Sequence, residues 1–162
     1  MFIDFKQAFD SIFRDRLIED MKRMEIPSKL IRLSKMTMDG SQAKAISNGR
    51  LTRPIKIEIG VRQGDALSTT LFNIVLDGAV RAAGITGTIA QSSKQVIAYA
   101  DDVALMARSK KSLEEGLLAL GREAKRRGLE INQSKTKYMI STRRTLEGTG
   151  QLRTGEYGFK QV

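Results

Sequence analysis

The 162-residue chain contains no cysteine and no histidine. Those two absences remove the disulfide framework, the thiol nucleophile, the imidazole base and every Cys/His zinc site. A resident metal would need oxygen ligands, which favours magnesium, manganese or calcium. Long apolar runs are missing as well. None approaches the length of about 20 residues that spans a bilayer, and no signal-peptide pattern opens the chain. The sequence therefore predicts a soluble, intracellular protein with no membrane partner. Internal repeats and low-complexity blocks are also absent. Acidic charge is in short supply: 18 Asp and Glu stand against 28 Lys and Arg, a formal net of +10. That excess fits a polyanionic partner, because each neutralised phosphate releases a counterion. Eight basic residues lie between Arg122 and Arg144 with only Glu123 and Glu130 to balance them. The plainer reading is a solvated surface, and charge alone does not separate an enzyme acting on nucleic acid from a ribosomal or chromatin protein.

What remains is enough for one domain with a real core, 41% of the residues being apolar. Phe2–Phe5 reads as a short buried strand, followed by a turn over Gln7–Phe13. Asp15–Met24 has helical spacing, with Leu17, Ile18, Met21 and Met24 on one face. After Pro27, Ser28 is placed to cap a second helix whose apolar positions are Leu30, Ile31, Leu33 and Met36. Ala43–Asn48 and Leu51–Ile59 read as a hairpin turning at Asn48-Gly49. A polar loop, Gly60–Leu67, leads to an apolar helix opened by Ser68 and running to about Gly84. Gln95–Tyr99 and Val103–Ala107 form a second hairpin. Ser112 is placed to cap a last helix, with Leu113, Leu117, Leu120 and Ala124 as its buried stripe and Gly128 at its end. Thr136–Ser141 returns as a strand, and the stretch from Thr142 onward is expected to be loosely ordered. This order suits an α+β fold in two layers, with helices packed on one face of a largely antiparallel sheet.

The stretch that carries chemistry is Tyr99-Ala100-Asp101-Asp102, a tandem carboxylate pair between two apolar runs. A third aspartate, Asp4, closes the apolar run Phe2-Ile3. Taken alone, Asp-Asp at a hairpin tip is ordinary turn chemistry, and Asp4 an ordinary strand-end residue. Together, two strand-end sites of this kind can converge into a cup for two divalent cations. Nucleotidyl transfer needs such a cup: one ion activates a 3′-hydroxyl and another, about 3.5–4 Å away, clamps the triphosphate. A turn is one way to keep adjacent Asp101 and Asp102 near one face, since a regular strand would send them to opposite faces.

Four segments share an order and spacing that resemble the reverse transcriptases. Phe2-Ile3-Asp4-Phe5-Lys6-Gln7-Ala8-Phe9-Asp10 is similar to their first palm motif, an aspartate followed five positions later by an aromatic. Gly60-Val61-Arg62-Gln63-Gly64-Asp65-Ala66-Leu67-Ser68-Thr69-Thr70-Leu71-Phe72-Asn73 resembles the second. Ala98-Tyr99-Ala100-Asp101-Asp102 matches the third, and Gly128-Leu129-Glu130-Ile131-Asn132-Gln133-Ser134-Lys135-Thr136-Lys137 resembles the fourth. The wording of the second and fourth is nearest to the non-LTR retrotransposon enzymes.

The resemblance implies a polymerase palm with part of the fingers over residues 1–141, and a tail over 142–162 leading toward a primer grip and thumb that the chain lacks. It implies RNA-directed DNA polymerase activity with two Mg2+ ions, or Mn2+ in their place, and an RNA template, a DNA primer and dNTPs as partners. Asp4, Asp101 and Asp102 would hold the metals, with the Phe5 carbonyl as a further ligand. Phe9 would lie beneath the incoming sugar and exclude a 2′-hydroxyl; its other reading is core packing. Gln63 and Gly64 would line the nucleotide pocket, Arg62 would touch phosphate, and Lys135 would neutralise or protonate the pyrophosphate. Family habit places such enzymes in the nucleus or in ribonucleoprotein particles. One departure is Thr69, where the family usually has proline, a preference at the first helical turn rather than a chemical requirement. Lacking upstream fingers and a thumb, the isolated chain is expected to show weak synthesis or none. The alternatives are a non-catalytic nucleic-acid-binding remnant with a palm fold, and a related polymerase such as an RNA-templated RNA polymerase or a group II intron maturase.

Overall fold

A computed structural model describes residues 1–85, 92–142, 152–154 and 157–161. The first strand is broken in two at Asp4. β1 (Phe2–Ile3) and β2 (Phe5–Lys6) join different sheets, β1 pairing with the later strands β8 and β10 and β2 with β9. Helix α1 (Arg14–Arg23) starts one residue earlier than its periodicity predicts and buries Leu17 and Met21. Helix α2 spans Ser28–Met38. Ser28 is its first helical residue and not its cap, which is Pro27 without any side-chain bond. The apolar positions expected to face the core also differ: Leu30, Leu33 and Met36 are exposed, while Ser34 and Met38 are buried.

The expected hairpin after α2 is present as two short ladders. β3 (Gln42–Ala43) pairs with β6 (Ile55–Lys56), and β4 (Ile46–Ser47) with β5 (Arg50–Leu51). Asn48 and Gly49 both have positive φ, 50° and 73°, as a two-residue hairpin turn requires. This ribbon has little apolar anchorage. It is tied to α1 by Arg14, whose guanidinium donates to the carbonyls of Gly60 (2.8 Å), Met38 (2.7 Å) and Ile57 (2.9 Å).

Helix α3 (Ala66–Ala82) is capped by Asp65, which accepts from the Leu67 amide; Ser68 sits inside the first turn and donates to the Arg62 carbonyl. Thr69, also in that first turn, is exposed. Strands β7 (Lys94–Tyr99) and β8 (Asp102–Ala107) form the aspartate hairpin in the register Tyr99↔Asp102. Helix α4 (Lys110–Lys125) is capped by Ser109, which accepts from the Ser112 amide, so Ser112 is not the cap either. Leu117, Leu120 and Ala124 are buried as expected, and Leu113 is half-buried. Strands β9 (Glu130–Ile131) and β10 (Lys137–Tyr138) follow.

The stretch expected to be loosely ordered holds two further strands, β11 (Leu152–Thr154) and β12 (Tyr157–Gln161). Their antiparallel pair adds to the main sheet because β12 runs parallel to β10, and Leu152 and Phe159 are almost fully buried. Two buried apolar side chains on paired strands supply what the sequence pattern did not show. The rest of that stretch beyond Thr142 lies outside the described residues.

The molecule is thus a mixed α/β fold with four described helices and antiparallel-rich sheets, the main one ordered β11-β12-β10-β1-β8-β7. Val103 and Leu105 of β8 are buried, and Leu105 lies beneath α4, 3.5 Å from the position a Cβ on Gly116 would take. Phe2, Ile97 and Tyr99 are exposed on the same sheet. The core joins Leu17 of α1, Phe72 and Val75 of α3, Leu117 and Leu120 of α4, and Ile3 of β1. No described helix is long and apolar enough to cross a membrane.

Two glycines press loops onto the turn after β2. Gly60 has φ +78°, and a Cβ there would lie 2.5 Å from the Asp10 carbonyl oxygen. Gly128 has φ +92°, and its Cβ would meet the Ser11 carbonyl oxygen at 2.0 Å. Only glycine permits both the backbone angle and the approach. Beneath α1 and α4 lies a buried ion cluster that the sequence did not disclose. Arg127 donates from Nε to Asp20 Oδ2 (2.7 Å), from Nη2 to Asp20 Oδ1 (3.0 Å) and from Nη1 to Glu123 Oε2 (3.1 Å). Burial pulls the Arg127 pKa down, but its bonds and charge pairing with Asp20 and Glu123 more than reverse that, leaving it above the usual value. Arg127 therefore leaves the basic surface counted from the sequence, and Arg126 is paired with Glu123 at 2.7 Å.

Candidate active site

The site is assembled by the switch of sheets at Asp4. Ile3 pairs with Val103, so Asp4 follows Ile3 on one strand while Asp102 precedes Val103 on its antiparallel neighbour. The ladder ends at that pair, so Asp4 leaves it at the same end at which β8 begins with Asp102. Asp101 occupies the two-residue turn between Tyr99 and Asp102, beside Ala100, whose φ of 51° is unusual for a residue with a Cβ. Asp101 and Asp102 are both exposed.

Asp4 differs from both. It is only partly exposed, and its Oδ1 is buried with no hydrogen-bond partner. Its main chain is held from the fourth motif: the Asn132 amide donates to the Asp4 carbonyl (2.7 Å), and the Asp4 amide donates to Thr136 Oγ1 (3.2 Å). Lys135 lies in that same 132–136 turn with its side chain exposed. The contacts of Asn132 and Thr136 with Asp4 were not foreseen from the sequence. A buried threonine two residues before a tyrosine strand position is too common a pattern to mark a contact with Asp4.

The first and second motifs are zipped together by main-chain bonds. The Val61 amide donates to the Phe9 carbonyl (2.8 Å) and the Gly60 amide to the Ile12 carbonyl (2.8 Å). Phe9 is half-buried, its ring centroid 5.1 Å from that of the fully buried Phe72. Phe9 is thus packed against the core through Phe72. Directly after Val61, Arg62, Gln63 and Gly64 form an exposed loop, and Gly64 has φ +85° with open space where a Cβ would lie. Phe5 is buried and stands opposite Ile131 in the β2–β9 pair. Lys6, beside it, bonds Glu130 Oε1 at 2.6 Å and holds the Glu130 carboxyl below its usual pKa.

Among the described residues, no three acidic side chains stand together as a ready-made cation cage. The donor set still fits a hard cation. Asp4, Asp101 and Asp102 offer carboxylate oxygens, and the unpartnered buried Asp4 Oδ1 is costly without a compensating charge. A cleft of about 590 Å³ lies elsewhere, between α1 and α3, where Asp20, Arg23, Asp77 and Arg81 already pair with one another or with Arg127. It is a groove between helices rather than a competing site.

Residues 1–156 match the family model of the reverse transcriptase (RNA-dependent DNA polymerase). This chain belongs to the reverse transcriptase family. A retrovirus-related Pol polyprotein from the type-1 retrotransposable element R2 of Popillia japonica is 30% identical to it over 139 residues, covering 83% of this chain and 20% of that protein. The corresponding R2 polyprotein of Nasonia vitripennis is 29% identical over 138 residues, covering 80% of this chain and 13% of its own length. An RNA-directed DNA polymerase from the mobile element jockey of Drosophila funebris is 28% identical over 174 aligned positions, covering 99% of this chain and 19% of that protein. The similarity is to non-LTR retrotransposon reverse transcriptases, and the chain spans a fifth or less of the length of these relatives.

Proposed function

We propose that this reverse transcriptase segment is a nucleotidyl-transfer core of the non-LTR retrotransposon type, adding dNTPs to a DNA primer on an RNA template. Its sheet is palm-like, with helices over one face and the aspartates at the end of the central strands. The observation that carries this reading is Asp4: its Oδ1 is buried and unpartnered, and it follows directly on the Ile3–Val103 pair that Asp102 precedes. Asp4, Asp101 and Asp102, with the Phe5 carbonyl, would hold the divalent cations. Two such ions supply activation of the primer 3′-hydroxyl and stabilisation of the leaving pyrophosphate when bound. Lys135, exposed on the turn that clamps Asp4, would bring a positive charge and a proton to the pyrophosphate. Gln63 and Gly64 would let the nucleotide approach the backbone closely.

Phe9 would set sugar selectivity. Its ring is braced on Phe72, so a 2′-hydroxyl meets a wall that does not yield. Addition of the first nucleotide to a primer annealed on RNA tests the reading. Set in a polymerase that supplies fingers and a thumb, the segment is expected to add dNTPs in preference to rNTPs, and Phe9→Val is expected to narrow that preference by roughly tenfold or more. Duplex binding without nucleotide addition in that setting would favour the non-catalytic remnant instead.

A further inference from the structure

The switch of sheets leaves Asp4 outside every described strand pair, between β1 and β2. A residue in that position has two backbone groups to satisfy without a ladder. Both are satisfied by one turn. The Asn132 amide donates to the Asp4 carbonyl at 2.7 Å, and the Asp4 amide donates to Thr136 Oγ1 at 3.2 Å. The turn is closed on itself by the Thr136 amide donating to the Asn132 carbonyl at 2.9 Å. Thr136 is 1% exposed, so its hydroxyl cannot be replaced there by bulk water. The backbone of Asp4 is therefore gripped on both sides while its Oδ1 is left without a partner.

We propose that Thr136 is a positioning residue for the Asp4 carboxylate: its buried hydroxyl accepts the Asp4 amide and so fixes where that carboxylate meets a divalent cation. This rests on the reading of Asp4 as a cation ligand. Neighbours that orient a ligand typically change metal affinity by about 10–100-fold when removed. Thr136→Val keeps the shape and removes the acceptor; Thr136→Ser keeps the acceptor and removes a methyl.

The test is titration of Mn2+ into the 162-residue chain, followed by loss of the free Mn2+ paramagnetic signal, with thermal melting in parallel. Wild type and Thr136→Ser are expected to bind alike, and Thr136→Val to bind roughly tenfold more weakly. Asp4→Asn is expected to abolish that binding. A Thr136→Val chain that melts lower but binds Mn2+ as wild type does would overturn the proposal and leave the cation reading intact. Wild-type binding that Asp4→Asn does not change would overturn both. Should Thr136→Val fail to fold, Thr136→Ala carries the same expectation without an added methyl.

Discussion

Asp4→Asn is expected to lower template-directed nucleotide addition by at least 10²–10³-fold while leaving the melting temperature unchanged or higher. The first half follows from removing a preorganised charge from the reacting centre, where a single group is worth about that factor. The second half follows from the burial of Asp4 Oδ1 without a partner, because a buried acceptor left unbonded opposes folding. Opposite signs for activity and stability mark a residue kept for function. Asp102→Asn is expected to lower addition comparably, since the proposed reading gives Asp102 the same role in holding the cations. It should not stabilise, because Asp102 is exposed and already hydrated. Single-nucleotide extension and thermal melting on the same preparations check all four values. A loss of addition accompanied by a large fall in melting temperature for Asp4→Asn would point to a structural role instead.

The other large effect lies far from the aspartates and concerns stability alone. Arg127 and Asp20 are both about 95% or more buried and are joined by two hydrogen bonds, with Glu123 completing the cluster. Asp20→Ala leaves the buried Arg127 with Glu123 alone, and Arg127→Ala leaves the buried Asp20 carboxylate with only the exposed Arg23 at 3.5 Å, each at a cost of about 3–5 kcal/mol. Asp20→Ala and Arg127→Ala should each lower the melting temperature by roughly 6–20 °C for a chain of this size. Replacing both by apolar residues, Asp20→Leu with Arg127→Met, should cost far less than the sum, because neither charge is then left unpaired. Space near Asp20 is limited: a Cβ on Gly78 would sit 2.5 Å from Asp20 Oδ2. A double variant as unstable as the two single ones added together would show that the ion pair itself, and not the stranded charge, carries the energy.

The parts of this fold that were legible in the sequence are those written in local pattern. Tyr99-Ala100-Asp101-Asp102 announced a hairpin turn between apolar runs, and β7 and β8 pair as expected. Helix ends were less legible. Ser68 and Ser112 each stand three residues after the side chain that caps the helix, Asp65 and Ser109. Serine suits either place, so identity alone does not fix the start. Leu30, Leu33 and Met36 have the spacing of a buried stripe yet are exposed, because periodicity states what could be covered and not what is there to cover it. Arg127, counted among surface cations, is buried in a pairing with Asp20 of α1. No local signal reports such a pair, 107 positions apart, although an aspartate beside Leu17 and Met21 on the apolar face of α1 was a clue. The same limit hid Thr136, whose partner Asp4 is 132 positions away.

The account depends on Asp4 and Asp102 sharing a cation. Crystals of the chain soaked in Mn2+ and measured at the manganese absorption edge test this most directly. The expected result is an anomalous peak within about 2.0–2.6 Å of carboxylate oxygens from both Asp4 and Asp102, the range for hard cations on oxygen ligands. A peak bound elsewhere, or none at these two residues at saturating Mn2+, would contradict it.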